Sequence, residues 1–207
     1  MELYGIEWGK AIYYTPLCRK QLIHFYEINN TPGLSGKMGW ILYLFKYSRL
    51  QNCTSTAEEA HCKLEKLLDE INTNIPLNYA DGLWGIGCGV EYLLRAGYLE
   101  GDADELLGYI DEVAMNVIDF RYQDNASIRY GASGVGYYLY RRMIGREDNT
   151  TLIGIKEYLI YLLDWLEVFY PIMQLQEKKE VYYFLHLLEQ TRFYRTKVRL
   201  LIDKLNT

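Results

Sequence analysis

The chain lacks the features that mark a secreted or membrane-spanning protein. Its four cysteines have no CxxC spacing, and its first ten residues, MELYGIEWGK, contain neither a basic n-region nor an apolar h-region. We therefore expect no signal peptide, free thiols in a reducing compartment, and a cytoplasmic location. The longest apolar stretch, residues 152–173, is interrupted by four charged side chains, so we do not expect it to span a bilayer.

The signatures of nucleotide and nucleic-acid binding are also missing. There is no GxxxxGK[ST] loop, and 27 acidic against 22 basic residues give a net charge of −5 at pH 7. This balance gives no reason to expect nucleic acid as the main partner. No segment alternates apolar and polar residues over the length of a strand, so the sequence predicts an all-α fold.

Tyrosine, in contrast, is abundant. The chain of 207 residues contains 21 tyrosines, and its length suits one domain with a sizeable core. A tyrosine ring supplies apolar area, while its hydroxyl allows the same ring to face a wet cavity. We expect most of these tyrosines to fill space between tightly packed helices.

A glycine signature recurs three times at a fixed interval. It is Gly-Leu-Ser-Gly at 33–36, Gly-Leu-Trp-Gly at 82–85 and Gly-Ala-Ser-Gly at 131–134, so the first glycines are 49 residues apart in both intervals. Each glycine loop precedes an apolar run, and a longer amphipathic segment follows. A fixed interval of this kind predicts a repeat of helical hairpins, with buried inner helices and outer helices that keep a charged face.

The spacing of apolar residues predicts the long outer helices. Helical stripes run through residues 57–71, 106–118 and 152–169, at intervals of three and four. Candidate N-caps are Ser55 or Thr56 for the first, Asp102 for the second and the stretch 148–150 for the third. Two further helices are expected within 174–205, separated near Gln190.

We therefore predict one domain, 1–207, in three parts. Residues 1–30 form an N-terminal helical segment, residues 31–170 form three glycine-loop hairpins, and residues 171–207 form a C-terminal helical cap that closes the stack.

Two glycines three residues apart, just ahead of a buried helix, predict a tight turn with positive φ and a close approach between backbones.

If the inner helices run in the same direction, their N-termini converge at one end and favour a negatively charged or carbonyl-rich ligand. Residues in or beside the loops would line this mouth. The candidate ligand-binding residues are Asp81, Trp84, Cys88, Arg129 and Tyr130, with Ser35 and Ser133 beside them; the structural glycines are Gly33, Gly36, Gly82, Gly85, Gly131 and Gly134.

The stretches GLSGKMGWILYLF, GLWGIGCGVEYLLRAGYLEGDADELLGYID and YGASGVGYYLYRR resemble the repeat loops of lanthionine synthetase C-like (LanC-like) proteins. The resemblance covers about residues 30–145. It implies an α/α-toroid, a ring of helical hairpins also found in six-hairpin glycosidases and in the β subunits of prenyltransferases. Because that ring generally needs about twice as many hairpins, the resemblance implies a partial toroid here.

LanC-like cyclases add a cysteine thiol to a dehydrated Ser or Thr of a peptide. They use zinc that two cysteines and a histidine hold, in Trp-Cys-x-Gly and Cys-His-Gly motifs before later glycine loops. Neither motif occurs in this chain, and the residue pairs before its three loops are Thr31-Pro32, Ala80-Asp81 and Arg129-Tyr130. Only the loop glycines match residue by residue, so catalytic residues are not carried over and we expect no zinc cofactor.

A different metal site is also not expected. His61 and Cys62 are adjacent, with Cys53 upstream, but neighbouring residues on a helix point about 100° apart. We expect a satisfied or solvated histidine beside a half-buried thiol. Cys88, in the second glycine loop, has two interpretations: a thiol whose pKa the helix N-terminus lowers, or a small residue that fills a crowded turn.

Three functions remain open at this point. The first is a LanC-like protein of a peptide-modification system that binds a peptide, or a small polar ligand, without zinc-dependent cyclisation. The second is a carbohydrate-active toroid, which would need a pair of carboxylates such as Asp81 and Glu91. The third is a non-catalytic interaction scaffold, in which the open edge of the partial ring is completed by a second copy or by a partner subunit.

Overall fold

The computed structural model describes residues 30–144, 146 and 149–205. Within these ranges the chain is all-helical, with eight α-helices and no strand. This confirms the predicted all-α class. The helices are α1 Lys37–Gln51, α2 Thr54–Asp69, α3 Leu83–Arg95, α4 Ala103–Phe120, α5 Ala132–Met143, α6 Thr150–Phe169, α7 Leu175–Gln190 and α8 Arg195–Leu205, with a 3₁₀ turn at Tyr170–Ile172 between α6 and α7.

The helices pack as consecutive pairs, in which α1 contacts α2, α3 contacts α4, α5 contacts α6 and α7 contacts α8. The first members of the pairs contact one another in chain order, α1 to α3 to α5 to α7, while α4, α6 and α8 form a second row beside them. In α3 every residue from Leu83 to Glu91 is buried, as the apolar composition of the glycine-loop helices predicts. No helix in the described ranges is long and apolar enough to cross a bilayer.

Two of the predicted helix starts are confirmed. The Asp102 side chain accepts from the Asp104 amide at 2.8 Å and begins α4, and the Asn149 side chain accepts from the Leu152 amide at 2.8 Å and begins α6. These bonds satisfy amides that the first turn leaves without a partner. The split of the C-terminal region near Gln190 is confirmed as well.

The predicted start of α2 is wrong by two or three residues. Cys53 is the N-cap, and the candidate caps Ser55 and Thr56 already lie in the first turn. There the Thr56 hydroxyl is buried and donates to the Cys53 sulfur at 3.2 Å. Because α2 begins two or three residues earlier than the capping pattern indicates, that pattern alone misplaces the boundary.

The loop glycines are explained by close approach and not by unusual φ. Among the described glycines only Gly97 and Gly101 have positive φ, so that part of the prediction is wrong. A Cβ at Gly82 would lie 1.7 Å from the Pro76 carbonyl oxygen, and one at Gly33 would lie 2.4 Å from the Gly82 amide nitrogen. These distances exclude any side chain, because the backbone approaches itself within the second loop at Gly82 and approaches the neighbouring loop at Gly33.

The loops are joined by hydrogen bonds from each repeat to the next. The Ser35 amide donates to the Ala80 carbonyl at 2.8 Å, and the Ala80 amide donates to the Arg129 carbonyl at 3.0 Å. The fourth pair, α7 and α8, follows no glycine loop. Two carboxylates of α7 take the place of the loop carbonyls. Glu180 accepts from the Ile128 amide at 2.7 Å, and Glu177 accepts from the Ala126 amide at 2.9 Å.

The expected N-terminal helical segment at 1–30, with Cys18 and His24, lies outside the described residues except for Asn30. Asp148 of the predicted third cap lies outside them as well.

Candidate functional site

A cavity of about 210 Å³ lies between α1, α3 and α5, beside the first two glycine loops. We call it the tyrosine cavity. Its wall combines three tyrosines, two cations, a thiol and apolar side chains. The lining residues are Leu34, Leu42, Lys46, Tyr79, Cys88, Gly89, Tyr92, Tyr137 and Arg141.

Both charged side chains of this wall are cations. Arg141 is half-buried, and its guanidinium makes no hydrogen bond or ion pair with any residue in the described ranges; only its backbone carbonyl is engaged, by Arg95 at 2.8 Å. The Lys46 ammonium lies 4.8 Å from the centre of the Tyr92 ring, within the range of a cation–π contact. No carboxylate is among the described residues that line the cavity, so the charges on this part of its wall are positive.

The Cys88 thiol and the phenols of Tyr79 and Tyr137 are uncharged near neutral pH. Burial raises the pKa of the Cys88 thiol well above its ordinary value, and it does the same for Tyr79 and Tyr137. The charge of Arg141 opposes the rise for all three groups, which reflects its proximity to them. The Tyr79 and Tyr137 rings meet edge to face, with centroids 5.2 Å apart. Each group can therefore donate a proton in a hydrogen bond, and none adds negative charge.

A second face of α5 carries a buried ionic network centred on Arg142, which we call the Arg142 cluster. Arg142 is fully buried, and its Nη2 lies 2.6 Å from Asp111 Oδ2 and 2.8 Å from Asp104 Oδ1. Its Nη1 lies 3.2 Å from Glu91 Oε2. Tyr138 donates its hydroxyl to Asp111 Oδ1 at 2.6 Å. The cluster joins α3, α4 and α5 by hydrogen bonds that satisfy a charge in the interior.

Two further cations complete this cluster at its edge. Arg95 donates from Nε to Glu91 Oε1 at 2.7 Å, and Arg146 donates from Nη2 to Asp104 Oδ1 at 2.5 Å. Asn149, the N-cap of α6, donates to the second oxygen of Asp104 at 3.0 Å. Burial opposes ionisation of Asp104, but the hydrogen bonds from Arg146 and Arg142 outweigh it and lower its pKa to about 2.

The five candidate ligand-binding residues are not brought into one site. Cys88 lies on the wall of the tyrosine cavity, but Trp84 is fully buried and stacks on Tyr138, with ring centroids 6.0 Å apart. Asp81 is half-buried, and its amide donates to the Asn78 side chain. Arg129 and Tyr130 are exposed and contact each other, with the guanidinium 5.9 Å from the ring centre.

The loop amides that were expected to attract a ligand have partners within the protein. Beside the bond from Ser35 described above, the Leu83 amide donates to the Pro76 carbonyl and the Ala132 amide donates to the Asn125 carbonyl, both at 2.9 Å. Ser133 is fully buried. Hydrogen bonds within and between the loops therefore occupy this end of the helices, and the cavity lies beside the loops, between α1, α3 and α5.

The residues present do not fit the zinc site of a LanC-like cyclase. The positions that precede the three loops carry no Cys or His, and nowhere in the described ranges do three or more metal-ligating side chains come together. His61 is exposed and packs against Phe45, and Cys62 is exposed; the expectation of a half-buried Cys62 is wrong. The half-exposed Cys53 accepts hydrogen bonds from Ser55 and Thr56, which lower its pKa to about 7.

The sequence reasoning missed Arg141, Lys46, Tyr92 and Tyr137. All four lie on glycine-loop helices, whose apolar composition predicted burial and drew attention to the loops. A signal was present nonetheless: Tyr137-Tyr138 and Arg141-Arg142 are two pairs spaced four residues apart on a helix predicted to be buried, and a cation in such a helix needs a partner.

No protein-family model, curated protein or solved structure matches this chain.

Proposed function

We propose that this chain is a LanC-like protein of a peptide-modification system, and that it binds peptide in the tyrosine cavity without zinc-dependent cyclisation. The observation that carries the proposal is the wall of that cavity, where the Arg141 guanidinium lies among apolar and tyrosine side chains and has no hydrogen-bond or ion-pair partner in the described part of the chain. Tyrosine rings with uncharged hydroxyls suit a peptide, because they offer both apolar area and hydrogen bonds to amides.

The arrangement of the helices supports the family part of the proposal. Hairpins related by the 49-residue interval place their glycine-loop helices α1, α3 and α5 in one row, the amphipathic helices α4 and α6 contact each other beside that row, and the glycine loops are joined by hydrogen bonds. A partial α/α-toroid would have this order of contacts. The residues that precede the loops supply no zinc ligand, so the proposed role is recognition of peptide.

The carbohydrate alternative receives no support from the cavity wall. Hydrolysis of a sugar bond needs two carboxylates about 5–10 Å apart. Of the two candidates, Glu91 is buried in ion pairs with Arg142 and Arg95, and Asp81 does not line the cavity.

Peptide binding is tested with a fluorescein-labelled library of random pentapeptides, followed by fluorescence anisotropy. We expect saturable binding that Leu42→Trp weakens by about 10-fold or more, because the larger side chain fills the cavity that Leu42 lines. Leu50→Trp is the matched control, since Leu50 is an exposed residue of the same helix. Absence of saturation up to about 1 mM peptide, or equal binding by the two variants, would contradict the proposal; saturation by a labelled oligosaccharide alone would favour the carbohydrate alternative.

A scaffold role is favoured by one other observation. Between Val168 and Leu175 the chain exposes four apolar side chains, of which Ile172 and Leu175 are 73% and 72% exposed. An exposed apolar corner of this kind is typical of an interaction surface, and a second copy or a partner subunit could cover it. Light scattering over a range of concentrations tests self-association; a monomer at every concentration would argue against a homo-oligomer.

A further inference from the structure

We propose that the tyrosine cavity receives the C-terminal residue of the peptide and that Arg141 binds its terminal carboxylate. This inference rests on the proposed function, peptide binding, and specifies which part of the peptide enters.

The Arg141 guanidinium is half-buried on a cavity wall and has no acceptor among the described residues. An arginine side chain keeps its charge at every physiological pH and presents parallel N–H groups that match the two oxygens of a carboxylate. Arg142, the next residue, illustrates the match, since its Nε and Nη2 both bond the carboxylate of Asp111. The group that Arg141 lacks is therefore an anion with the same geometry.

No described residue on the cavity wall competes for this position. The described lining residues include no Asp or Glu, and the buried Cys88 and Tyr79 and the half-buried Tyr137 remain uncharged. An entering carboxylate would meet the Arg141 cation and neutral hydrogen-bond donors. A positively charged ligand group would meet the like charge of Arg141, which raises its cost of binding.

The size of the cavity limits how much of a peptide can enter it. Its volume of about 210 Å³ is below the range of roughly 300–1,000 Å³ that holds a drug-sized ligand. This volume suits one residue of a peptide. If that residue were internal, the peptide would have to leave the cavity in two directions. A C-terminal residue leaves in one direction only and brings a carboxylate and one side chain together. Leu34, Leu42 and the tyrosine rings supply apolar surface for that side chain.

The test compares two fluorescein-labelled pentapeptide libraries that lack Asp and Glu and differ only in a free or an amidated C-terminus. We expect the free-acid library to bind about 10- to 100-fold more tightly, the range expected for a hydrogen-bonded charge pair. Arg141→Gln should remove this difference without weakening the amidated library, and Arg141→Lys should retain part of it. Arg195→Gln is the control, because Arg195 is an exposed residue at the start of α8.

The possible results separate the inference from the proposed function. If the two libraries bind with equal affinity, the carboxylate inference is overturned while peptide binding stands; if neither binds, both fail. Competition by N-acetyl-leucine tests the carboxylate directly, because this compound carries the carboxylate, the side chain and the amide of one C-terminal residue. Displacement of the free-acid library by N-acetyl-leucine and not by N-acetyl-leucinamide supports the inference. Equal displacement by the two compounds, or by neither, would overturn it.

Discussion

Helix α5 carries two tyrosine–arginine pairs with the same spacing and opposite surroundings. Tyr138 and Arg142 face the Arg142 cluster, where the hydroxyl and the guanidinium bond the carboxylate of Asp111. Tyr137 and Arg141 face the tyrosine cavity, and neither the Tyr137 hydroxyl nor the Arg141 guanidinium has a hydrogen-bond partner among the residues that the structure describes. Because adjacent positions on a helix point about 100° apart, the two pairs enter different surroundings although they are neighbours in sequence. The pair Tyr138 and Arg142 therefore holds the helices together, while the pair Tyr137 and Arg141 is available to a ligand.

The largest expected effect comes from removing one arginine of each pair. Arg142→Met should lower the free energy of unfolding by about 3–5 kcal/mol, because Asp111 and Glu91 would remain buried without their shared cation. Arg141→Met should change it by less than about 1 kcal/mol, since it breaks no described contact of the guanidinium. Urea denaturation of both variants measures the difference, and equal losses would remove the distinction between the two faces.

The two tyrosines provide a milder version of the same comparison. Tyr138→Phe removes a buried hydroxyl that donates to a charged carboxylate, and we expect a loss of about 1.5–3 kcal/mol. Tyr137→Phe leaves the ring in place and should change the stability by no more than about 0.5 kcal/mol. The unfolding midpoints of these single-atom deletions report the hydroxyl alone. A larger loss for Tyr137→Phe would mean that the cavity side also stabilises the fold.

The smallest expected effect is on how the free energy of unfolding falls at acid pH. Hydrogen bonds from Arg146 and Arg142 lower the pKa of Asp104 from 3.8 to about 2, against the opposing effect of burial. A carboxylate with a lowered pKa in the folded state stabilises the protein above its unfolded pKa, and this contribution is lost as the pH falls from about 4 to about 2. Asp104→Asn should therefore flatten the loss of stability in that window, whereas Asp124→Asn, at an exposed position, should leave its slope unchanged.

The regular parts of the fold could be predicted from sequence because they depend on local patterns. The apolar stripe of α4 and the side chains of Asp102 and Asn149 indicate where helices lie and begin. The requirement for Gly82 was also predictable, although its cause is contact with Pro76 and not a positive φ.

The site could not be predicted in the same way, because it depends on contacts between repeats. Whether Arg141 or Arg142 meets a carboxylate is decided by the position of Asp111 on another helix, and no local pattern contains that information. The same is true of Glu91, which the sequence offered as a candidate catalytic carboxylate and which the structure places in ion pairs with Arg95 and Arg142.

The most direct measurement of the central claim is a pair of readouts on one variant, Arg141→Gln. Stability by urea denaturation and binding of the free-acid pentapeptide library are measured on the same preparation. We expect an unfolding midpoint equal to that of the unmodified chain together with binding weakened by about 10-fold or more. A lowered midpoint would assign Arg141 to the support of the fold, and unchanged binding would contradict its assignment to the ligand.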